Sequence, residues 1–186
     1  MAVTVLNIGS YILSRTMVQF GLTFDFRNPR QWYLPWDTLY GRTLDQISFA
    51  EELGYDSVWL TEHHFSEDGQ ATSPMTTLAA IASRTKRVLI GTSVLLLPFY
   101  NAARLAEDAA TVDILSGGRL ILGLGQGYRR SELEAFGIPQ CERLGRFVEG
   151  VEVIKKAWEG TEVNFNGKYY TLRNATFTPS PIQKPR

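Results

Sequence analysis

Cysteine is nearly absent: Cys141 is the single one in 186 residues, so no internal disulfide can form and no cysteine cluster offers a zinc site. That fits a reducing compartment, and the cytoplasm is the expected setting. Histidine is almost as scarce, with His63 and His64 as the whole complement. Neither sign of charge is in excess. Lys plus Arg and Asp plus Glu number 19 each, and no basic run appears, which argues against nucleic acid or an anionic membrane as a partner. No stretch of eighteen apolar residues exists, so no transmembrane helix is expected. The opening MAVTVLNIGSYILSRT lacks a basic head and is interrupted by Asn7, Gly9 and Ser10, so it does not read as a secretory signal. Residues 1–16 are expected to be a peripheral N-terminal extension, and residues 17–186 one α/β domain.

What is present is a repeat of apolar strand-like runs and amphipathic stretches. The runs are 18–24 (VQFGLTF), 56–60 (DSVWL), 88–95 (VLIGTSVL) and 119–124 (RLILGL). Each is continuous rather than alternating, which predicts parallel strands buried on both faces. Between them, Leu44, Ile47, Ala50 and Leu53 share a helical face, with Gly54 in the place of a C′ glycine. Ser73-Pro74 has the form of an N-cap followed by proline at the first helical position. Ala102, Leu105, Ala106 and Ala109 give a third face ended by Gly117-Gly118, and Phe147, Val151, Ile154 and Trp158 a fourth, closed by Gly160. The strand starts near 18, 56, 88 and 119 lie 38, 32 and 31 residues apart, the length of a βα unit. VNFNGKYYTL then predicts a hairpin with Asn166-Gly167 as a type I′ turn.

Four βα units suit either an open sheet or half of an eight-stranded barrel. An open nucleotide-binding sheet calls for a glycine-rich turn after its first strand. Here that region is TFDFRNPRQWYLPW, long and aromatic, so the expected fold class is α/β of the parallel (β/α)8 TIM-barrel type, represented by its first four βα units plus a β-hairpin. Four strands by themselves leave two unpaired sheet edges, and a generic barrel takes about 250 residues. The chain is therefore expected to be a truncated barrel that is unstable alone or dimerises.

In such a barrel, chemistry sits at the carboxyl ends of the strands. TEHHF places Glu62, His63 and His64 directly after a strand, and histidine exchanges protons near neutral pH; a rim histidine that merely hydrogen-bonds is the alternative. GLGQGY alternates Gly123, Gly125 and Gly127, which either admits a ligand close to the backbone or relieves crowding inside the barrel. Arg129 and Arg130 follow, as phosphate contacts or as a solvated helix start. Ser93 is a polar residue in an apolar run, bonded to backbone or to a ligand. Phe24, Phe26, Trp32, Tyr33 and Trp36 either line a pocket for a flat apolar ligand or pack the barrel mouth.

From Met17 onward, WLTEHHF, IGTSVLLLPFYNAARLAEDAATVDILSGGRLILGLGQGY and the late TPSPIQKP, in this order and spacing, resemble bacterial luciferase and its flavin-dependent monooxygenase relatives. The resemblance implies a barrel mouth that takes reduced FMN, delivered by a separate reductase, and uses oxygen to oxidise a small organic substrate such as an aldehyde. It implies that His63, with His64 beside it, is the catalytic histidine. Ser93-Val94 falls where the family often has a non-prolyl cis peptide against the flavin ring. Gly125, Gln126, Gly127 and Tyr128 match the cofactor-binding loop after the fourth strand, where luciferase α-type chains carry Cys-Arg in place of Gly125-Gln126. A deazaflavin-dependent oxidoreductase, which transfers hydride without oxygen, is the alternative within the same barrel. A non-catalytic half-barrel is the third reading.

Overall fold

The computed structural model describes residues 3–6 and 18–184. Its centre is a parallel sheet of β2 (Gly21–Phe24), β3 (Ser57–Leu60), β4 (Leu89–Thr92), the short β5 (Leu95–Leu96) and β6 (Leu120–Gly125), ordered β6-β4-β3-β2 with β5 on β6. β2 runs in register with β3 from Gly21↔Ser57 to Phe24↔Leu60, and β3 with β4 from Ser57↔Leu89 to Leu60↔Thr92. Helices α1 (Trp36–Glu52), α2 (Pro74–Arg84), α3 (Ala102–Ser116) and α5 (Arg143–Trp158) follow successive strands, with the short α4 (Arg130–Ala135) before α5. These are the four expected βα units, and the hairpin β7 (Val163–Asn166) and β8 (Thr171–Ala175) follows.

The core lies between sheet and helices. Val58, Leu60, Ile90, Leu122 and Leu124 meet Ile47, Leu78, Ile81, Leu105, Ala109 and Ile154, all at or near zero exposure. The β6 run is buried at every position, as continuous apolarity predicts. β2 is not: it alternates exposed and half-buried residues, because among the described residues it is the sheet's edge. The 88–95 run is divided into β4 and β5 around a cis Ser93–Val94 peptide.

Helix boundaries follow the expected punctuation with two differences, at Leu53 and Ser73. Thr43, Ile47 and Ala50 form the buried face of α1, while Leu53 turns outward as the C-cap ahead of Gly54 at φ +94°. Ser73 stands at the N-cap of α2, but its hydroxyl donates to Thr76 Oγ1 instead of accepting a backbone N–H. The α3 N-cap is Asn101, whose side chain accepts from the N–H of Ala103 and Arg104.

The hairpin turn also differs from the expected two-residue form. The strands close at Asn166↔Thr171, leaving residues 167–170 as the loop. The cause is Glu149 on α5, whose carboxylate accepts the N–H of Lys168 at 2.9 Å and of Tyr169 at 2.8 Å and so opens the turn.

Of the 1–16 extension, β1 (Val3–Leu6) pairs antiparallel with β6, from Val3↔Gly125 to Leu6↔Leu122, and residues 1–2 and 7–16 lie outside the described residues. β1 occupies one of the two sheet edges expected to be bare, leaving β2 as the open one. Among the described residues, no helix is long and apolar enough to cross a membrane.

Candidate functional site

Three neighbouring parallel strands end at one cavity of about 170 Å³. Thr61, Glu62 and His63 enter it after β3, Ser93, Val94 and Leu96 after β4, and Gly125, Gln126, Gly127 and Tyr128 after β6. His63, Ser93, Val94, Gly125, Gln126, Gly127 and Tyr128 are thus brought together from three stretches each about thirty residues from the next. His64 is not at the wall, nor are Phe24, Phe26, Trp32, Tyr33 and Trp36. Phe26 is buried against Tyr40 with ring centroids 4.7 Å apart, and Trp32, Tyr33 and Trp36 are exposed.

The two histidines have separate partners. Glu62 precedes His63 in sequence, yet its Oε1 lies 2.9 Å from Nε2 of His64. Residues two apart on a segment leaving a strand share a side, whereas adjacent ones do not. The other Glu62 contacts are the Leu96 N–H, donating to Oε2 at 2.5 Å, and the Tyr100 hydroxyl, donating to Oε1 at 2.5 Å. Burial, with the Glu62 charge adding to it, pushes the Tyr100 phenol far above its ordinary range, so it remains a donor. Phe99 and Phe136 stand edge-on to the His64 ring at 5.7 and 4.8 Å, which closes it off.

His63 faces the other way. Its Nδ1 lies 3.0 Å from Oε1 of Glu132 on α4, and Tyr128 stands edge-on at 5.9 Å. Glu132 escaped sequence reasoning: it sits 69 residues downstream in RRSELEA, where nothing but an ordinary helical charge pattern marks it. Thr61, Leu96 and Tyr100 lie within the TEHHF and IGTSVLLLPFY stretches, but nothing in their residue types singled them out.

The three alternating glycines serve three needs. A Cβ on Gly123 would collide with the Thr92 carbonyl, one on Gly125 would come within 2.5 Å of the Val94 side chain, and Gly127 has φ +74°. Gly123 therefore answers the crowding reading, while Gly125 and Gly127 shape the cavity. Arg129 and Arg130 are occupied within their own helix, at 3.5 Å from Glu132 and 2.6 Å from Glu134. Arg143 reaches the loop instead, donating to the Gly127 carbonyl at 3.3 Å.

Two buried polar atoms, Thr61 Oγ1 and Glu132 Oε2, have no hydrogen-bond partner among the described residues. Cys141 is exposed, and among the described residues no group of three His, Cys, Asp or Glu side chains could hold a metal ion.

A parallel sheet whose strand ends converge on such a cavity matches what is found in known proteins. Residues 19–186 match the luciferase-like monooxygenase family, and the chain belongs to it. It is 43% identical over 141 residues to an F420-dependent glucose-6-phosphate dehydrogenase of Amycolatopsis mediterranei, covering 72% of this chain and 42% of that protein. It is 32% identical over 149 residues to the oxygenase component of a flavin-dependent trigonelline monooxygenase of Acinetobacter baylyi, covering 79% and 41%. Among solved structures, the monooxygenase RslO1 from Streptomyces bottropensis superimposes with a TM-score of 0.84 at 33% identity, over 90% of this chain and 51% of that one. The chain spans about half the length of the relatives it matches.

Proposed function

We propose that this chain carries the flavin-facing half of a luciferase-like monooxygenase site, in which reduced FMN and oxygen oxidise a small organic substrate such as an aldehyde. The carrying observation is the convergence of His63, Ser93–Val94 and Gly125–Tyr128 on one cavity at the carboxyl ends of three adjacent parallel strands. The residues suit a flat, mostly apolar ring with polar edges. Val94 and Leu96 supply an apolar wall, Gly125 lacks the Cβ that would press into it, and the unpartnered Thr61 hydroxyl offers one hydrogen bond. At about 170 Å³ the cavity is smaller than the roughly 300–1,000 Å³ of whole ligand pockets, in keeping with a chain half the length of its relatives.

Reduced flavin would supply the electrons that oxygen chemistry needs. The protein's own part is to hold the ring against Val94, to let backbone approach at Gly125 and Gly127, and to exchange a proton at His63. A partner reductase would deliver the reduced flavin, by analogy with a relative named as an oxygenase component. We also propose that the chain dimerises through its open edge.

The second reading, hydride transfer to or from a reduced deazaflavin, is favoured by the 43% identical F420-dependent relative. Oxygen uptake with FMNH₂, set against an absorbance change with reduced deazaflavin, separates the two. FMN titration of the chain should quench flavin fluorescence, and His63→Ala should lower turnover by about 10²–10⁴-fold. No quenching at high micromolar FMN sinks the flavin monooxygenase reading for this chain.

A further inference from the structure

The polar contact that fixes the cavity's histidine comes from outside every motif of the family resemblance. We infer that Glu132 is a positioning residue: it holds His63 in the Nδ1–H tautomer and leaves Nε2 as the proton acceptor at the cavity. This deepens the flavin reading and rests on it for what the cavity contains, but not for the tautomer.

The geometry of one oxygen carries the case. Glu132 Oε1 accepts the His64 backbone N–H at 3.0 Å and has Arg129 Nη1 at 3.5 Å. An oxygen already accepting from a backbone donor and facing a guanidinium is the acceptor in its third contact as well. The His63 Nδ1 at 3.0 Å must then be the donor. In a neutral imidazole with its proton on Nδ1, Nε2 carries the lone pair.

The ring is held from two sides. Glu132, whose side chain is 2% exposed, anchors Nδ1, and Tyr128 packs edge-on, so the imidazole cannot turn freely about its bond to Cβ. The charged and titratable groups around it are Glu132 from α4, Arg129 at the N-cap of α4, Tyr128 from the loop after β6, and Glu62 from its own segment. Glu62 is already taken up by His64, Tyr100 and the Leu96 N–H.

A carboxylate serving only to fasten α4 to the loop gains nothing from leaving an oxygen unpaired. Here Oε2 is buried without a partner among the described residues, while every contact falls on Oε1. A buried unsatisfied acceptor is costly, and an apolar residue of similar length would avoid that cost. What the carboxylate adds is therefore orientation of the imidazole. The His64–Glu62 pair repeats the chemistry, but its imidazole lies behind Phe99 and Phe136, so among the two histidines His63 is the one at the cavity wall.

The test is ¹⁵N-imidazole NMR on the flavin-free chain, above the pH at which imidazole titrates. With two histidines in the sequence, His63→Asn assigns both. We expect wild-type His63 to show a protonated Nδ1 and a pyridine-like Nε2. In Glu132→Ala it should shift towards the Nε2–H form that unconstrained imidazoles favour. A wild-type His63 in the Nε2–H form overturns the inference, and that spectrum decides even where Glu132→Ala fails to fold. An unchanged tautomer in a folded Glu132→Ala variant overturns it too, since a merely structural glutamate would leave the tautomer alone. Because flavin is absent, failure of FMN to bind would leave this result standing and sink the flavin reading alone.

Discussion

Side chains adjacent in sequence do separate work in this site. Glu62, His63 and His64 read as one cluster, yet the turn of the chain sends His63 to the cavity and pairs Glu62 with His64. Gly123 shows how tightly the backbones approach beside it. Its neighbour is the Thr92 carbonyl, and the Thr92 hydroxyl donates to the Gly123 carbonyl at 2.7 Å. A carbonyl held in a strand cannot swing aside as a long side chain can. Gly123→Ala should therefore cost about 1–3 kcal/mol and lower Tm by roughly 2–12 °C in a thermal melt. A variant as stable as wild type would show that the two strands have room to part.

At the level of elements, α1, α2 and β4 meet at a single carboxylate. Glu51, near the end of α1, accepts the N–H of Lys86 at 3.0 Å, Arg87 at 2.6 Å and Val88 at 2.7 Å, the residues that lead from α2 into β4. Burial works to raise its pKa, but the three N–H bonds and the field of Arg119 outweigh this and hold it below the usual carboxylate range. A carboxyl lowered by folding adds stability above its unfolded pKa, and that stability fades as pH falls through the lower, folded value. Glu51→Gln should thus be less stable than wild type by about 1 kcal/mol at pH 7, a figure held low by solvent screening. In urea melts the gap should close as pH drops below about 4. A gap independent of pH would mean that shape, not charge, is what Glu51 contributes.

For the molecule as a whole, assembly is decided at the edges of the sheet. β1 covers β6, whereas β2 has no neighbour on its outer side among the described residues. Val18 and Phe20, just before β2, are 78% and 63% exposed. An open edge flanked by exposed apolar residues invites pairing with another chain. Gel filtration should accordingly find the chain at about twice its 20.9 kDa. Elution as a stable, compact monomer would overturn the dimer.

By itself the sequence determined the order of strands and helices, because buried parallel strands and amphipathic helices leave local apolar patterns that run over many residues. It also marked the strand ends where His63, Ser93–Val94 and Gly125–Tyr128 stand. Its errors fell where a distant group intervenes, or where an expected neighbour is lacking among the described residues. The Glu149 carboxylate opens the Asn166-Gly167 turn, and β2 is exposed because nothing described flanks it. Only the tertiary structure paired His63 with Glu132, since a hydrogen bond across 69 residues leaves no periodicity to read, whereas Glu62 and His64 are local partners two residues apart.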